Sequence, residues 1–376
     1  MIFEVIGIGA PNKGAELMLT ALKNKISERY PDAQFVLEPY SNYLDRAPHG
    51  VLQKFWFTVR GVQIGFLGNF IPKKFRQKFG IVLDSEIDII VDASGFAYGD
   101  QWGVNKLRQR VTRYLPKWKQ EGKKVILLPQ AFGPFTKPGF DKELEILFEH
   151  ADLICARDGE SLKYLKASDK KNQGKIIEAP DYTNLCHGVL PPELNRKELD
   201  VCFIPNAKMI EMTDSSTGTN YAQSMASLIT LAQQHGRKPF ILLHEGKKDL
   251  ELSQEINNLL ETKVELLQYQ DPLHIKGVIG HANLTVSSRF HGLVSSLSQG
   301  KPCIATGWSH KYQMLMDGYG CSEFLVKESS EEARERLSEL LDQEKYDLVK
   351  EKILTNGKTE KQKAEEAWDK VFSVIG

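Results

Sequence analysis

Two rhythms of apolar residues alternate along this chain, short β-branched runs and longer stretches with a helical period. Residues 2–8 are a run of the first kind. After a glycine-bearing turn, Ala15, Met18, Leu19, Leu22 and Ile26 share one helical face, with Pro31 beyond its end. The pattern then predicts a strand over 87–92, a helical stretch over 105–121, a strand over 124–128 and a loop rich in turn residues over 129–134. Helix 141–150, strand 152–155, helix 159–166 and strand 175–177 complete a first series. A second series opens with strand 200–204 and continues with helix 220–234, strand 239–243, helix 247–260, strand 264–267 and helix 272–280. Strands at 284–286 and 303–306 follow, then a loop over 307–312, and from Ser329 onward Glu, Lys and Leu predict two helices. Such alternation implies parallel sheets covered by helices on both faces.

At 376 residues the chain exceeds what one core usually fills. The segment 186–200, with Pro191-Pro192 and mixed charges, is the linker candidate. It divides the chain into a domain over 1–190, a second over 198–328 and helices over 329–376. Two Rossmann-like domains facing a cleft, closed by C-terminal helices, resemble the GT-B arrangement of glycosyltransferases. Composition adds exclusions rather than detail. Formal net charge is zero, which excludes a general nucleic-acid binder. The five cysteines are scattered without a CxxC pair, so neither a disulfide framework nor a zinc site is expected. No basic leader and no apolar run of about 18 residues occurs, so a cytoplasmic protein, at most at the inner face of a membrane, is expected.

Charge patterning changes the picture over 46–83. Between Arg46 and Leu83 there is no Asp or Glu, while Arg46, Lys54, Arg60, Lys73, Lys74, Arg76 and Lys78 alternate with Phe55, Trp56, Phe57, Phe66, Phe70, Phe75 and Phe79. Such a mixture suits a membrane surface or a lipid-linked anionic acceptor. The plainer expectation is an irregular subdomain whose aromatic side chains pack inward.

Candidate chemistry concentrates after the strand at 284–286. Ser287 and Ser288 can cap the helix that carries Leu293, Val294 and Leu297, and the turn between holds Arg289 and His291. In an open α/β sheet this turn lies at the carboxyl edge, where ligands bind, and at a helix N-terminus, which favours anions. A phosphorylated or carboxylated small molecule is the implied ligand. The first turn follows GxGxxxxG and contains Pro11, so it departs from a dinucleotide fingerprint and implies only a close backbone approach to a ligand. Glu16 there is either a dipole-complementing acid or a site carboxylate.

Seven motifs, in order, resemble the polysaccharide pyruvyl transferase family over most of the chain. They are Asn12-Lys-Gly-Ala-Glu16, Val91-Asp-Ala-Ser-Gly95, Pro129-Gln-Ala-Phe-Gly133, Ala156-Arg-Asp-Gly-Glu-Ser161, Ala179-Pro-Asp-Tyr182, Ser288-Arg-Phe-His-Gly292 and Lys311. The second turn lacks the family's glycine pair, and the first has Ala15 before its acid. The resemblance implies transfer of pyruvate from phosphoenolpyruvate to two hydroxyls of a sugar, with ketal formation and release of phosphate. It requires no metal and no cofactor beyond phosphoenolpyruvate as donor substrate. It also implies a saccharide or lipid-linked saccharide acceptor, with 1–190 as the acceptor side and 198–328 as the donor side. Arg289 and Arg157 suit the two anionic groups of the donor, because a guanidinium fork binds oxyanions bidentately. His291 is the expected general acid. Lys311, or His310, is expected on the departing phosphate, and Asp92 or Glu16 at the sugar hydroxyl. Asp181, Asn12, Ser94, Ser288 and Phe290 complete the substrate-binding candidates, while His187, His244 and His281 receive no role. Two other readings are open, a GT-B glycosyltransferase using a nucleotide sugar and a non-catalytic binder of glycans or lipid-linked glycans.

Overall fold

The computed structural model describes residues 1–376 apart from 10–11, 40–41, 60–61, 172–173, 196–198, 213–214, 308–309 and 327–329. The chain forms two compact α/β units. The first comprises Met1–Ala10, Met18–Tyr182 and Lys363–Gly376, and the second Pro11–Leu17 and Thr183–Gln362.

In the first unit, strand Ile2–Ile6 lies mid-sheet. Strands Gln34–Leu37, Leu52–Lys54 and Ile81–Val82 extend the sheet on one side, and Ile89–Asp92, Lys124–Phe132, Leu153–Ala156 and Ile176–Glu178 on the other. Every one of these neighbours pairs in parallel. The chain order reverses between Ile2–Ile6 and Ile89–Asp92, so a crevice opens at their carboxyl ends. The second unit repeats this plan. Strand Val201–Ile204 is followed by Pro239–Leu243 and Leu266–Gln268 to one side and by Leu284–Ser287, Cys303–Thr306 and Leu325–Val326 to the other. Its reversal lies between Val201–Ile204 and Leu284–Ser287. Strands Ile89–Asp92, Val201–Ile204, Leu284–Ser287 and Cys303–Thr306 are buried at every position, as expected of parallel strands covered on both faces.

Several sequence expectations are corrected. The expected loop 129–134 is mostly strand, because Lys124–Phe132 runs through Pro129. Pro129 is tolerated where the register against Leu153–Ala156 shifts, Leu127 facing Ile154 and Gln130 facing Ala156, since a bulge does not need the missing N–H. The stretch 105–121 breaks into helix Val104–Leu107, a π-turn at Arg108–Thr112 and helix Leu115–Gln120. The loop expected over 307–312 gives way at His310 to helix His310–Gly318. Residues 183–195 pack on the second unit, with Val189 donating to the Leu273 carbonyl at 2.9 Å. A Cβ on Gly277 would lie 2.1 Å from the Val189 carbonyl oxygen, so only glycine admits this crossing.

The C-terminal helices do not stand apart. Val349 and Ile353 of helix Gln343–Ile375 enter the core of the second unit. Beyond Gln362 the helix belongs to the first unit, where Trp368 meets Tyr182 edge-on at 6.1 Å. Within 46–83, Trp56 is buried, but Phe66, Phe70, Phe75 and Phe79 are exposed, contrary to the expected inward packing.

Candidate functional site

The carboxyl edge of the second unit's sheet gathers most of the expected donor residues. Ser288 ties the reversal point together. Its hydroxyl lies 2.6 Å from that of Tyr221 and bonds Thr306, while its carbonyl accepts from Asn206 Nδ2 at 3.0 Å and Tyr312 Oη at 3.1 Å. Fully buried and so occupied, Ser288 braces the turn. Phe290 lies beside it. It enters the core of the unit, and its ring meets His291 edge-on at 5.5 Å. Lys311 lies 5.3 Å from the ring centres of both Phe290 and Tyr312, which places its charge beside the same turn.

Arg289, extended at the start of helix Phe290–Leu297, directs Nη2 to both oxygens of Asp249 at 2.6 and 2.5 Å. Its Nη1 bonds Glu245, and its Nε is buried without a hydrogen-bond partner. Burial raises the Asp249 pKa, although Arg289 opposes the shift. Glu245 also accepts from Asn12 Nδ2 at 3.0 Å. Asn12 in turn caps helix Lys13–Arg29, its Oδ1 accepting from the Ala15 N–H at 3.0 Å. Asn12 and Glu16 thus belong to the second unit, although the sequence put them on the acceptor side. Glu16 is buried and paired with Lys13 at 2.8 Å, a brace more than a free site carboxylate. The family-like turn reaches His291 directly, since a Cβ on Gly14 would fall 2.4 Å from His291 Nδ1. Glycine is required there.

Four further groups escaped the sequence reading. His244, buried at the end of strand Pro239–Leu243, is held well below the ordinary imidazole range by burial and by Arg289 and His291. Glu245 and Asp249 follow it, and position after a strand was the signal available. Lys208, two residues past Asn206, lines a pocket of about 270 Å³ with Lys247, Lys248, Glu245, Asp249 and Arg289. This pocket combines an arginine fork, three lysines and the start of helix Lys247–Asn258, a setting suited to a small, multiply charged anion.

The remaining candidates lie in the first unit. Asp92 is buried and accepts from the Ser94 N–H at 2.9 Å, the Ser94 hydroxyl and Tyr98 Oη. Arg110, presented by the π-turn, donates to Ser94 Oγ at 2.8 Å. Burial raises the Asp92 pKa against the pull of Arg110. Arg157 approaches Asp181 at 3.4 Å, whereas Asp158 caps helix Gly159–Ser168 through the Ser161 N–H at 2.7 Å. Next to Arg157, whose N–H bonds the Gln130 carbonyl, the Gln130 side chain is 0% exposed and neither end of its amide has a hydrogen-bond partner.

Glu38, just past strand Gln34–Leu37, is pushed up to about 7 by burial, with Glu4 adding to the shift. An acid whose folded pKa lies above its ordinary 4.5 keeps a proton that the unfolded chain releases, so its contribution lowers stability as pH rises from 4.5 to about 7. Glu38→Gln should therefore stabilise the protein by about 2–3 kcal/mol at pH 8 and leave it unchanged below pH ~4. Urea midpoints of both proteins at the two pH values test this. Equal midpoints at pH 8 would refute it.

Comparison with known proteins supplies the family. The family model for polysaccharide pyruvyl transferase matches residues 12–310. The amylovoran biosynthesis protein AmsJ of Erwinia amylovora is 19% identical over 282 residues, covering 69% of this chain and 66% of that protein, just under two thirds of its length. Among solved structures, the UDP-GlcNAc 2-epimerase of Neisseria meningitidis, bound to UDP-GlcNAc, superposes with a TM-score of 0.61 at 11% identity, over 99% of each chain. A glycosyltransferase from Rickettsia africae does so with a TM-score of 0.56 at 13% identity, over 100% of this chain and 98% of that one. At such identities these likenesses establish the two-unit α/β fold alone. The model spans the first turn, the Arg289–His291 turn and the first-unit loops between them, and the chain belongs to the polysaccharide pyruvyl transferase family.

Proposed function

We propose that this transferase moves pyruvate from phosphoenolpyruvate onto two hydroxyls of a sugar in a surface polysaccharide or its precursor. The carrying observation is Arg289, a buried guanidinium with an unpartnered Nε, beside a lysine-rimmed pocket and two residues from His291. Phosphoenolpyruvate brings a carboxylate and a phosphate on three carbons, which matches clustered cations better than it matches any neutral site. His291 gives a proton to the enol methylene, turning CH₂ into CH₃ and making C2 electrophilic. One sugar hydroxyl attacks C2, phosphate departs from the resulting tetrahedral adduct, and the second hydroxyl takes its place on C2. Of the two hydroxyl protons, one replaces that lost by His291 and the other leaves with hydrogen phosphate. Lys208 and Lys311 are assigned to phosphate. Asp92, with both oxygens engaged by Ser94 and Tyr98, positions Ser94 and Arg110 for a saccharide acceptor.

Thermal unfolding with phosphoenolpyruvate tests the donor assignment. At ~100 times its dissociation constant the ligand should add about 2.7 kcal/mol, and Arg289→Lys should abolish most of that gain. Stabilisation by UDP but not by phosphoenolpyruvate would replace this reading with a nucleotide-sugar glycosyltransferase.

A further inference from the structure

Five large apolar side chains stand in solvent within one short stretch of the first unit. Phe66 is 59% exposed, Leu67 43%, Phe70 81%, Phe75 53% and Phe79 63%. Single exposed hydrophobes are normal, but a cluster of this density marks a contact surface. Lys73, Lys74 and Lys78 lie exposed among them, and no acid occurs from residue 47 to 83.

Poor packing does not explain this exposure, because the inner side of the stretch is fixed. Gly68 is buried so tightly that a Cβ there would lie 2.5 Å from Leu83 Cδ2 and 2.8 Å from the Phe55 ring. Arg76 turns inward from helix Lys73–Lys78 and bonds Glu86 at 2.5 Å and the Ile71 carbonyl at 3.2 Å. Glu86 in turn accepts from the Leu83 N–H at 2.9 Å. One basic residue thus anchors the segment while three remain outside with the aromatics. Phe75 and Phe79 touch, their ring centres 4.7 Å apart.

We propose that residues 64–79 are a docking surface for an anionic lipid bilayer. The apolar side chains enter the interface and the lysines meet lipid phosphates. Bare phenyl and leucyl groups flanked by lysines fit an acyl boundary under anionic headgroups, since both components find a partner there at once. A nucleic acid would leave the five apolar groups without one. The inference does not depend on the donor assignment, although it would bring the enzyme to lipid-linked saccharides. Among the described residues no helix is long and apolar enough to cross a membrane, so attachment of this kind would be peripheral.

Co-sedimentation of the full chain with vesicles of phosphatidylcholine, with and without phosphatidylglycerol, tests the proposal. Binding should require phosphatidylglycerol and fall at high salt. Lys73→Glu with Lys74→Glu should weaken partitioning by at least about 25-fold, taking about fivefold for each lysine. Phe70→Ser with Phe75→Ser should weaken it at least about tenfold, with melting temperature unchanged because these side chains are exposed. Absence of binding to anionic vesicles at low salt would overturn the proposal, as would equal binding by the phenylalanine variant. Concentration-dependent self-association of the wild type, lost in that variant and without vesicle binding, would assign the surface to a second copy instead.

Discussion

Replacing His291 with alanine is expected to slow phosphate release from phosphoenolpyruvate, in the presence of a saccharide acceptor, by ~10²–10⁴-fold. The expectation follows from what the position can and cannot supply. Arg289, Lys208, Lys247 and Lys248 surround the pocket with permanent cations, which bind anions but are poor proton donors near neutrality. Asp249 and Glu245 are committed to Arg289. Burial, with Arg289 and His291 adding to it, holds His244 well below the ordinary imidazole range, which makes it a poor candidate for the acid. His291 is thus the proposed proton donor to the enol carbon. Its ring meets Phe290 edge-on and its Nδ1 lies close to the backbone at Gly14, contacts that fix its orientation. Loss of the ring should therefore lower kcat far more than it changes the phosphoenolpyruvate KM, with melting temperature shifted by a few degrees at most. A variant with wild-type turnover would transfer the proton donor elsewhere, and one with a raised KM and normal kcat would make His291 a binding group.

Much of the Arg289–His291 turn could be read from the chain because each of its signals is local. The strand before it, the helix after it and the two basic residues all fall within about one βα unit. Glu245 and Asp249 could not be read so easily. An acid at the start of a helix looks like a complement to its dipole, and only the fold turns both toward Arg289. Ser288 and Phe290 stand in the motif as ligand contacts, and only the fold shows that both also help to hold the turn. The membership of Asn12 and Glu16 is non-local too, since a helix can begin in one unit and continue in the other. Glu38 was missed because strand Gln34–Leu37 has four residues, too few to show a period. At 46–83 the composition was legible but the direction of the aromatics was not, since inward and outward packing use the same residues.

Lys54→Met is expected to destabilise the first unit by about 3–5 kcal/mol. Lys54 and Glu4 are both 0% exposed, and Lys54 Nζ lies 2.9 Å from each Glu4 oxygen. Asp84 completes the group at 2.9 Å, and the ammonium lies 4.0 Å from the Trp56 ring centre. Burial alone would lower the Lys54 pKa, but Glu4 and Asp84 outweigh it and raise it. Asp84 is held down to about 2, Lys54 overcoming the effect of burial. An acid with a depressed folded pKa stabilises the fold above its ordinary 3.8, and that contribution is lost as pH falls toward 2. Removing Lys54 leaves Glu4, in the central strand Ile2–Ile6, as a buried carboxylate without its cation. Asp84 is less affected, because Lys117 and Lys123 remain at 3.2 and 3.4 Å. In a unit of this size each kcal/mol should lower the melting temperature by about 2–4 °C, so a fall of roughly 6–20 °C is expected. The double variant Lys54→Met with Glu4→Leu separates charge from packing. It should recover most of the loss, because apolar replacement of both partners removes the orphaned charge along with the bridge. If the double variant melts as low as the single one, packing of the Lys54 stem under Trp56, and not the ion pair, carries this part of the fold.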